Sequence, residues 1–163
     1  MTPREAVTGR DVVLLAVTWD GVADILRAAD AADGTLAGMP LIEPTNAVEH
    51  GVGVLLTRES MAERVAELAP AAHVVKAFHL FPSTQWTTPG APPVTVVMCG
   101  DDPGALDVTG TLVRDLGATP AVLGGLSRAR QIEEAAGFTI GLAFAGHDPG
   151  AAIPHVPASA TPA

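Results

Sequence analysis

Glu43, Lys76 and His79 combine a carboxylate, an ammonium and an imidazole, the groups needed to move a proton and hold the charge left behind. Lys76 is the single lysine of the chain and lies near the end of the apolar run His73-Val-Val-Lys-Ala-Phe78. His79 follows three residues later, and an imidazole titrates close to neutral pH. Glu43 closes a shorter run, Met39 to Glu43. Glu43 and His79 are therefore candidate proton-transfer groups, with Lys76 stabilising negative charge. The plainer alternative is an ion pair between Lys76 and Glu43 across adjacent strand ends, with His79 as a loop residue facing solvent.

A second set can hold a ligand. Thr18, Trp19 and Asn46 offer a hydroxyl, an aromatic surface and an amide at the ends of two successive apolar runs. Ligands of open α/β sheets gather at the carboxyl ends of parallel strands. The competing reading makes Asp20 a helix N-cap, Trp19 a packing residue and Asn46 ordinary turn chemistry.

Other residues carry less. His147 and His155 lie in a proline-rich tail, and the histidines lack metal-site spacing, so no metal is expected. Gly51-Val-Gly53 follows a loop and is not a dinucleotide fingerprint. Asp101-Asp102 suits a helix cap better than a metal pair. Cys99, the one cysteine, excludes an intrachain disulfide and reads as buried structure.

These residues need a sheet to position them. Largely apolar runs at 12–17, 39–43, 73–78, 94–99 and 119–123 predict five strands, several of them buried on both faces. Helical patterns fall between them. Asp20 is expected to cap the first helix. Ser60 and Glu63 have capping-box spacing, Asp102-Pro103 starts a helix over 103–116, and Ser127 caps one reaching about Ala145. The segment 47–57 reads as either an extra strand or a loop with an apolar anchor. The alternation predicts an α/β fold, a three-layer and mostly parallel sheet, truncated Rossmann-like. Residues 1–10 are a lead-in, 11–145 the domain, and 146–163 an irregular Pro-rich tail.

With 163 residues, 48% of them apolar, the chain has enough material for one hydrophobic core. A net charge of -9 argues against bulk attraction to nucleic acid or an acidic membrane. No run is long enough for a membrane span, and none resembles a signal peptide, so a cytoplasmic protein is expected.

Val12-Val-Leu-Leu-Ala-Val17, Ile42-Glu-Pro-Thr-Asn46, Val74-Val-Lys-Ala-Phe78, Gly100-Asp-Asp102 and Gly124-Gly-Leu-Ser-Arg-Ala-Arg130 occur in an order that resembles the deazaflavin (coenzyme F420)-dependent NADP oxidoreductase family. The resemblance covers residues 11–145 and matches the later part of that family's Rossmann domain. It implies a strand end near Thr18 beside the nicotinamide, with Thr18 and Asn46 positioning cofactors. Glu43 stands where the family commonly has Asp, Ala47 where a proline follows the Asn, and His79 where it has Asn. The family's opening strand, glycine-rich turn and phosphate-selecting second strand have no counterpart in residues 1–10.

Three function classes follow. The first is an oxidoreductase acting on a small metabolite or a nicotinamide or deazaflavin cofactor, its missing half supplied by a partner chain. The second is a cofactor-independent isomerase, cyclase or dehydratase of secondary metabolism, using Glu43, Lys76 and His79. The third is a noncatalytic binding or assembly protein. Without a neighbour, the strand at 12–17 is a sheet edge, and homodimerisation would cover it.

Overall fold

The computed structural model describes residues 1–155. Five strands form one sheet in the order β1-β2-β3-β4-β5: β1 (Val13–Leu14), β2 (Pro40–Glu43), β3 (His73–Lys76), β4 (Thr95–Gly100) and β5 (Thr119–Gly124). β1, β2 and β3 run parallel, as do β4 and β5. β3 and β4 are antiparallel. A parallel neighbour needs a full crossover, but the connection after β3 holds only a four-residue helix, α4 (Thr84–Thr87).

Helices cover both faces. α2 (Val22–Ala28), α3 (Met61–Leu68) and α6 (Ala129–Phe144) lie on one, and α5 (Pro103–Asp115) on the other. Alternation along the strands feeds both layers. Leu41, Val74 and Cys99 pack toward Leu26, Val65 and Ile132, while Ile42, Val75 and Met98 pack toward Ala105 and Val113. The result is the three-layer, mostly parallel α/β sandwich expected of the apolar runs.

The helix signals have clear causes. Asp102 accepts the Ala105 amide at 2.7 Å, with Pro103 in the first turn of α5. Ser60 and Glu63 form a reciprocal capping box at α3. A further helix, α1 (Pro3–Val7), lies in the expected lead-in, and its capping box joins Thr2 to Glu5. That pair shows the same three-residue spacing and was readable from the sequence. Asp20 does not cap α2. It sits inside a tight turn, Trp19–Gly21, and Gly21 occupies the cap position. The expected helix from Ser127 begins as a tight turn over Leu126–Arg128 before α6. Pro149–Ala152 forms another such turn, so the start of the expected irregular tail keeps some regular structure. Residues 156–163 of that tail lie outside the described residues.

β1 is shorter than its apolar run. Its ladder reaches only Leu41 and Ile42 on one side, and the Ala16 amide folds back onto the Leu14 carbonyl at 3.0 Å. Among the described residues no strand pairs with its other side. A cavity of about 420 Å³ flanks this edge on the α2 face, and one of about 650 Å³ on the α5 face. Val12, Leu14 and Ala16 line both.

The segment 47–57 folds back on itself through a single antiparallel bridge, Val48 to Leu55, and lies on α6. Gly53 (φ 81°) and Gly137 meet backbone to backbone, so a Cβ on either would collide with the other's carbonyl oxygen. The Gly137→Ala variant should lose about 1–3 kcal/mol, the usual cost of overpacking. Urea unfolding and limited proteolysis at 50–57 should show the loop released. Wild-type behaviour in both would remove this contact as a determinant.

Candidate functional site

The carboxyl ends of β2 and β3 converge on a buried ion cluster. Lys76 Nζ lies 2.6 Å from Glu43 Oε2 and 2.7 Å from Glu133 Oε1, and all three side chains are fully buried. The third ammonium hydrogen goes to the Thr45 carbonyl. Three donors thus meet three acceptors, as a buried ammonium requires.

The carboxylates are held from behind. Glu43 Oε1 accepts the Thr45 amide at 2.6 Å and the Thr45 hydroxyl at 2.5 Å. Glu133 accepts the Met61 amide at 2.9 and 3.1 Å, placing negative charge at the N-terminus of α3. Burial pushes the Glu133 carboxyl above its ordinary value, and Lys76 and the Met61 amide pull it back only in part. One cluster therefore ties β2, β3, α3 and α6 together.

His79 turns inward rather than facing solvent. Phe78 has φ 62°, an uncommon conformation for a bulky residue, and this bend carries the imidazole under α6. His79 Nε2 lies 3.1 Å from the Ile132 carbonyl, so Nε2 carries the hydrogen and Nδ1 is left as a buried acceptor without a donor. Burial, reinforced by the charge on Lys76, lowers its pKa to about 3. At neutral pH this imidazole is uncharged. Burial also raises the Cys99 thiol to about 11, with Lys76 acting in the opposite sense. It is therefore a poor nucleophile.

The second candidate set gathers at the ends of β1 and β2. Thr18, Trp19 and Asn46 line a shallow, open depression of about 460 Å³, together with Leu15, Ala16, Val17, Pro44 and Thr45. That volume suits a small-molecule fragment. Trp19 also packs against the core, so it combines lining with packing. The Thr18 hydroxyl is engaged with Asp20 and holds that carboxyl below its usual range. Asn46 donates through Nδ2 to the His79 carbonyl at 2.7 Å, leaving Oδ1 without a donor. That oxygen is itself buried, behind the lining rather than open to it. No glycine-rich turn borders this cavity.

The structure thus separates the two sets. Glu43, Lys76 and Glu133 are brought together inside, and Asn46 links the cavity to the His79 backbone. Sequence reasoning missed Glu133. Its signal was position: Glu133, Ala136 and Gly137 share one side of a helix, and all three are buried. A carboxylate in such a stripe requires a cationic partner, and the chain has one lysine. Among the described residues, no group of three or more His, Cys, Asp or Glu is placed to hold a metal ion. No helix there is long and apolar enough to cross a membrane.

No family model matches the chain. It is 33% identical over 132 residues to rat metalloreductase STEAP3, an alignment covering 79% of this chain and 25% of that protein. Among solved structures it is similar to a protein assigned as an F420-dependent NADP-reductase from Arthrobacter sp. FB24. There the TM-score is 0.70, the identity 25%, and the cover 80% of this chain and 62% of the other. A hypothetical protein of Sinorhizobium meliloti gives 0.65 and 28%, covering 78% and 62%. Pyrroline carboxylate reductase of Plasmodium falciparum, solved with NADP bound, gives 0.52 and 10%, covering 85% and 45%, a likeness of fold alone. The chain spans a quarter of the curated relative and under two thirds of the solved ones. It has a Rossmann-like oxidoreductase fold, related to that of NADP(H)-binding enzymes.

Proposed function

We propose that this chain forms the nicotinamide side of an oxidoreductase acting on a small metabolite or on a deazaflavin cofactor, with a partner chain supplying the phosphate-binding side. The observation that carries this reading is the open depression at the carboxyl ends of β1 and β2, lined by Thr18, Trp19 and Asn46. NADPH, when bound, would supply the hydride. Thr18, Trp19 and Asn46 would line the nicotinamide site, with Asn46 held in place by its bond to the His79 carbonyl. The unpaired edge of β1 lies directly beside this cavity, so a strand added there would complete its rim.

This division of labour assigns proton transfer elsewhere. Glu43, Lys76 and His79 would have to reach a substrate to act as the catalytic set of an isomerase, cyclase or dehydratase. Their burial favours a positioning role instead: they fix the two strand ends that carry the cavity.

The test is a titration of the purified chain with NADPH and with reduced nicotinamide mononucleotide, followed by nicotinamide fluorescence. A chain that reads only the nicotinamide end should bind both within about 3-fold of each other, with Kd on the order of 1 mM. Asn46→Leu should weaken both at least about 10-fold. Binding of neither would sink the reading. Preference for NADPH by about 100-fold would show that this chain holds the phosphates itself.

A further inference from the structure

We propose that Lys76 is a one-way acylation site. It takes an acyl group from an acyl phosphate only while the chain is open, and the acylated chain is then held out of the native state. This inference is independent of the cofactor reading. The sequence concentrates amine chemistry at one position, because Lys76 is the single lysine and every other strongly basic side chain is an arginine. Guanidinium groups stay charged and do not take up acyl groups from such donors. Side-chain amine acylation of this protein is therefore acylation of Lys76.

Folding closes that position in two ways. Lys76 is fully buried, and it lines neither the cavities beside β1 nor the depression at Thr18. Its nitrogen also has no lone pair to offer. The three ammonium hydrogens go to Glu43 at 2.6 Å, to Glu133 at 2.7 Å and to the Thr45 carbonyl. Acyl transfer needs the neutral amine and a path for the donor, so it proceeds only through an opened chain. Glu133 reaches the cluster from α6, so releasing that helix removes one acceptor and uncovers one side of the amine. Folded domains spend about 10⁻³ to 10⁻⁶ of their time unfolded, and the reaction slows by that factor.

The product does not fit the site. In the open chain the neutral Nζ attacks the acyl carbonyl carbon. The C–N bond forms, the C–O bond to phosphate breaks, phosphate leaves with the electron pair, and the amine proton passes to water. An ammonium with three hydrogens becomes an uncharged amide with one. At most one of the three acceptors is then served, and Glu43 and Glu133 are left buried without a cation. Even an acetyl group adds bulk to a side chain that already has no solvent contact.

The two halves are tested separately. The whole chain is treated with acetyl phosphate at mildly alkaline pH, native and in concentrated urea, and acetylation at Lys76 is followed by mass spectrometry. Lys76 should react at least about 10³-fold more slowly in the native chain. The amino-terminal amine, on the exposed Met1, should react alike in both and shows that the donor is active. The amine introduced by Arg64→Lys, on the exposed side of α3, should follow the amino terminus.

For the second half, Nε-acetyllysine is placed at position 76 during synthesis by amber suppression, so no refolding step is needed. The folding equilibrium of that chain, read by urea unfolding, should shift at least about 100-fold toward the unfolded state. A chain that never reaches the native circular dichroism spectrum supports the proposal equally. Nε-acetyllysine at position 64 should do neither. Native protection of Lys76 below about 10³-fold overturns the proposal, because the amine is then reached without opening the chain. So does a shift of less than about 100-fold for the chain acetylated at 76, because the site then accepts the amide.

Discussion

Lys76→Met should cost about 3–5 kcal/mol of folding stability, because it leaves two buried carboxylates without their cation. Glu43 and Glu133 both meet the ammonium within 2.7 Å and neither has any solvent contact. A domain of this size holds about 5–15 kcal/mol in all, so the loss is about a fifth of the total or more. The partners respond as a unit. Adding Glu43→Gln and Glu133→Gln to Lys76→Met should recover more than half of the loss, since neutral amides remove the unpaired charge and keep hydrogen-bonding capacity toward Thr45 and Met61. Urea unfolding at pH 7 measures all of these. A Lys76→Met chain within about 1 kcal/mol of wild type would mean that the cluster is not ionised as drawn.

Acid should destabilise the protein steeply through His79. Its pKa falls from 6.5 to about 3 on folding, so at intermediate pH the unfolded chain binds a proton that the folded chain refuses. The stability this group contributes is present above the unfolded value and is lost as pH drops from 6.5 toward 3. Within that window the slope is about 1.4 kcal/mol per pH unit, on the order of 5 kcal/mol in total. Glu133 acts in the opposite sense. Its folded pKa is raised, so its contribution is complete below about 4.5 and declines as pH rises through the folded value. His79→Asn should flatten the acid limb while costing about 1 kcal/mol at neutral pH, for the bond to the Ile132 carbonyl. Glu133→Gln should remove the opposing term and make the acid limb steeper. Unfolding curves from pH 4 to 8 for the three chains separate these contributions. An unchanged slope in His79→Asn would show that the imidazole titrates elsewhere.

The sheet was legible because the middle of each strand is apolar. Leu41-Ile42 and Val74-Val75 send alternate residues into two different cores, which is why no polar alternation marks them. Caps were legible where side chain and amide lie three residues apart, as at Ser60 and Asp102. The antiparallel step between β3 and β4 was not, because the connection 77–94 carries no periodic signal of its own. The length of β1 was also hidden. Apolar residues at 12–17 announce a strand, yet only a neighbour's hydrogen bonds extend one, and β1 has a neighbour on one side.

The candidate site divides along the same line. Thr18, Trp19 and Asn46 follow from their places at strand ends, which chain order alone predicts. Glu43 and Lys76 were expected as a pair or as catalysts, and they lie opposite each other in the β2–β3 register. Glu133 lies 72 residues from the Met61 amide it accepts, and no local pattern connects the two. His79 was expected either as a proton-transfer group or as a loop residue facing solvent, because a loop follows an apolar strand. The bend at Phe78 reverses it, and a positive φ at phenylalanine is not written in residue type.

Glu133 also sets an order of events while the chain is being made. Synthesis runs from the amino end, so Glu43 and Lys76 emerge first, and between them they hold one negative and one positive charge. The second carboxylate arrives only with α6, after α3 and all five strands have left the ribosome. Until then one ammonium hydrogen lacks its final acceptor, the Met61 amide at the start of α3 lacks its own, and the end of β3 stays open to water. Helix α6 is therefore the clasp of this domain, and ribosomes halted before Ala129 should display a protease-sensitive β3.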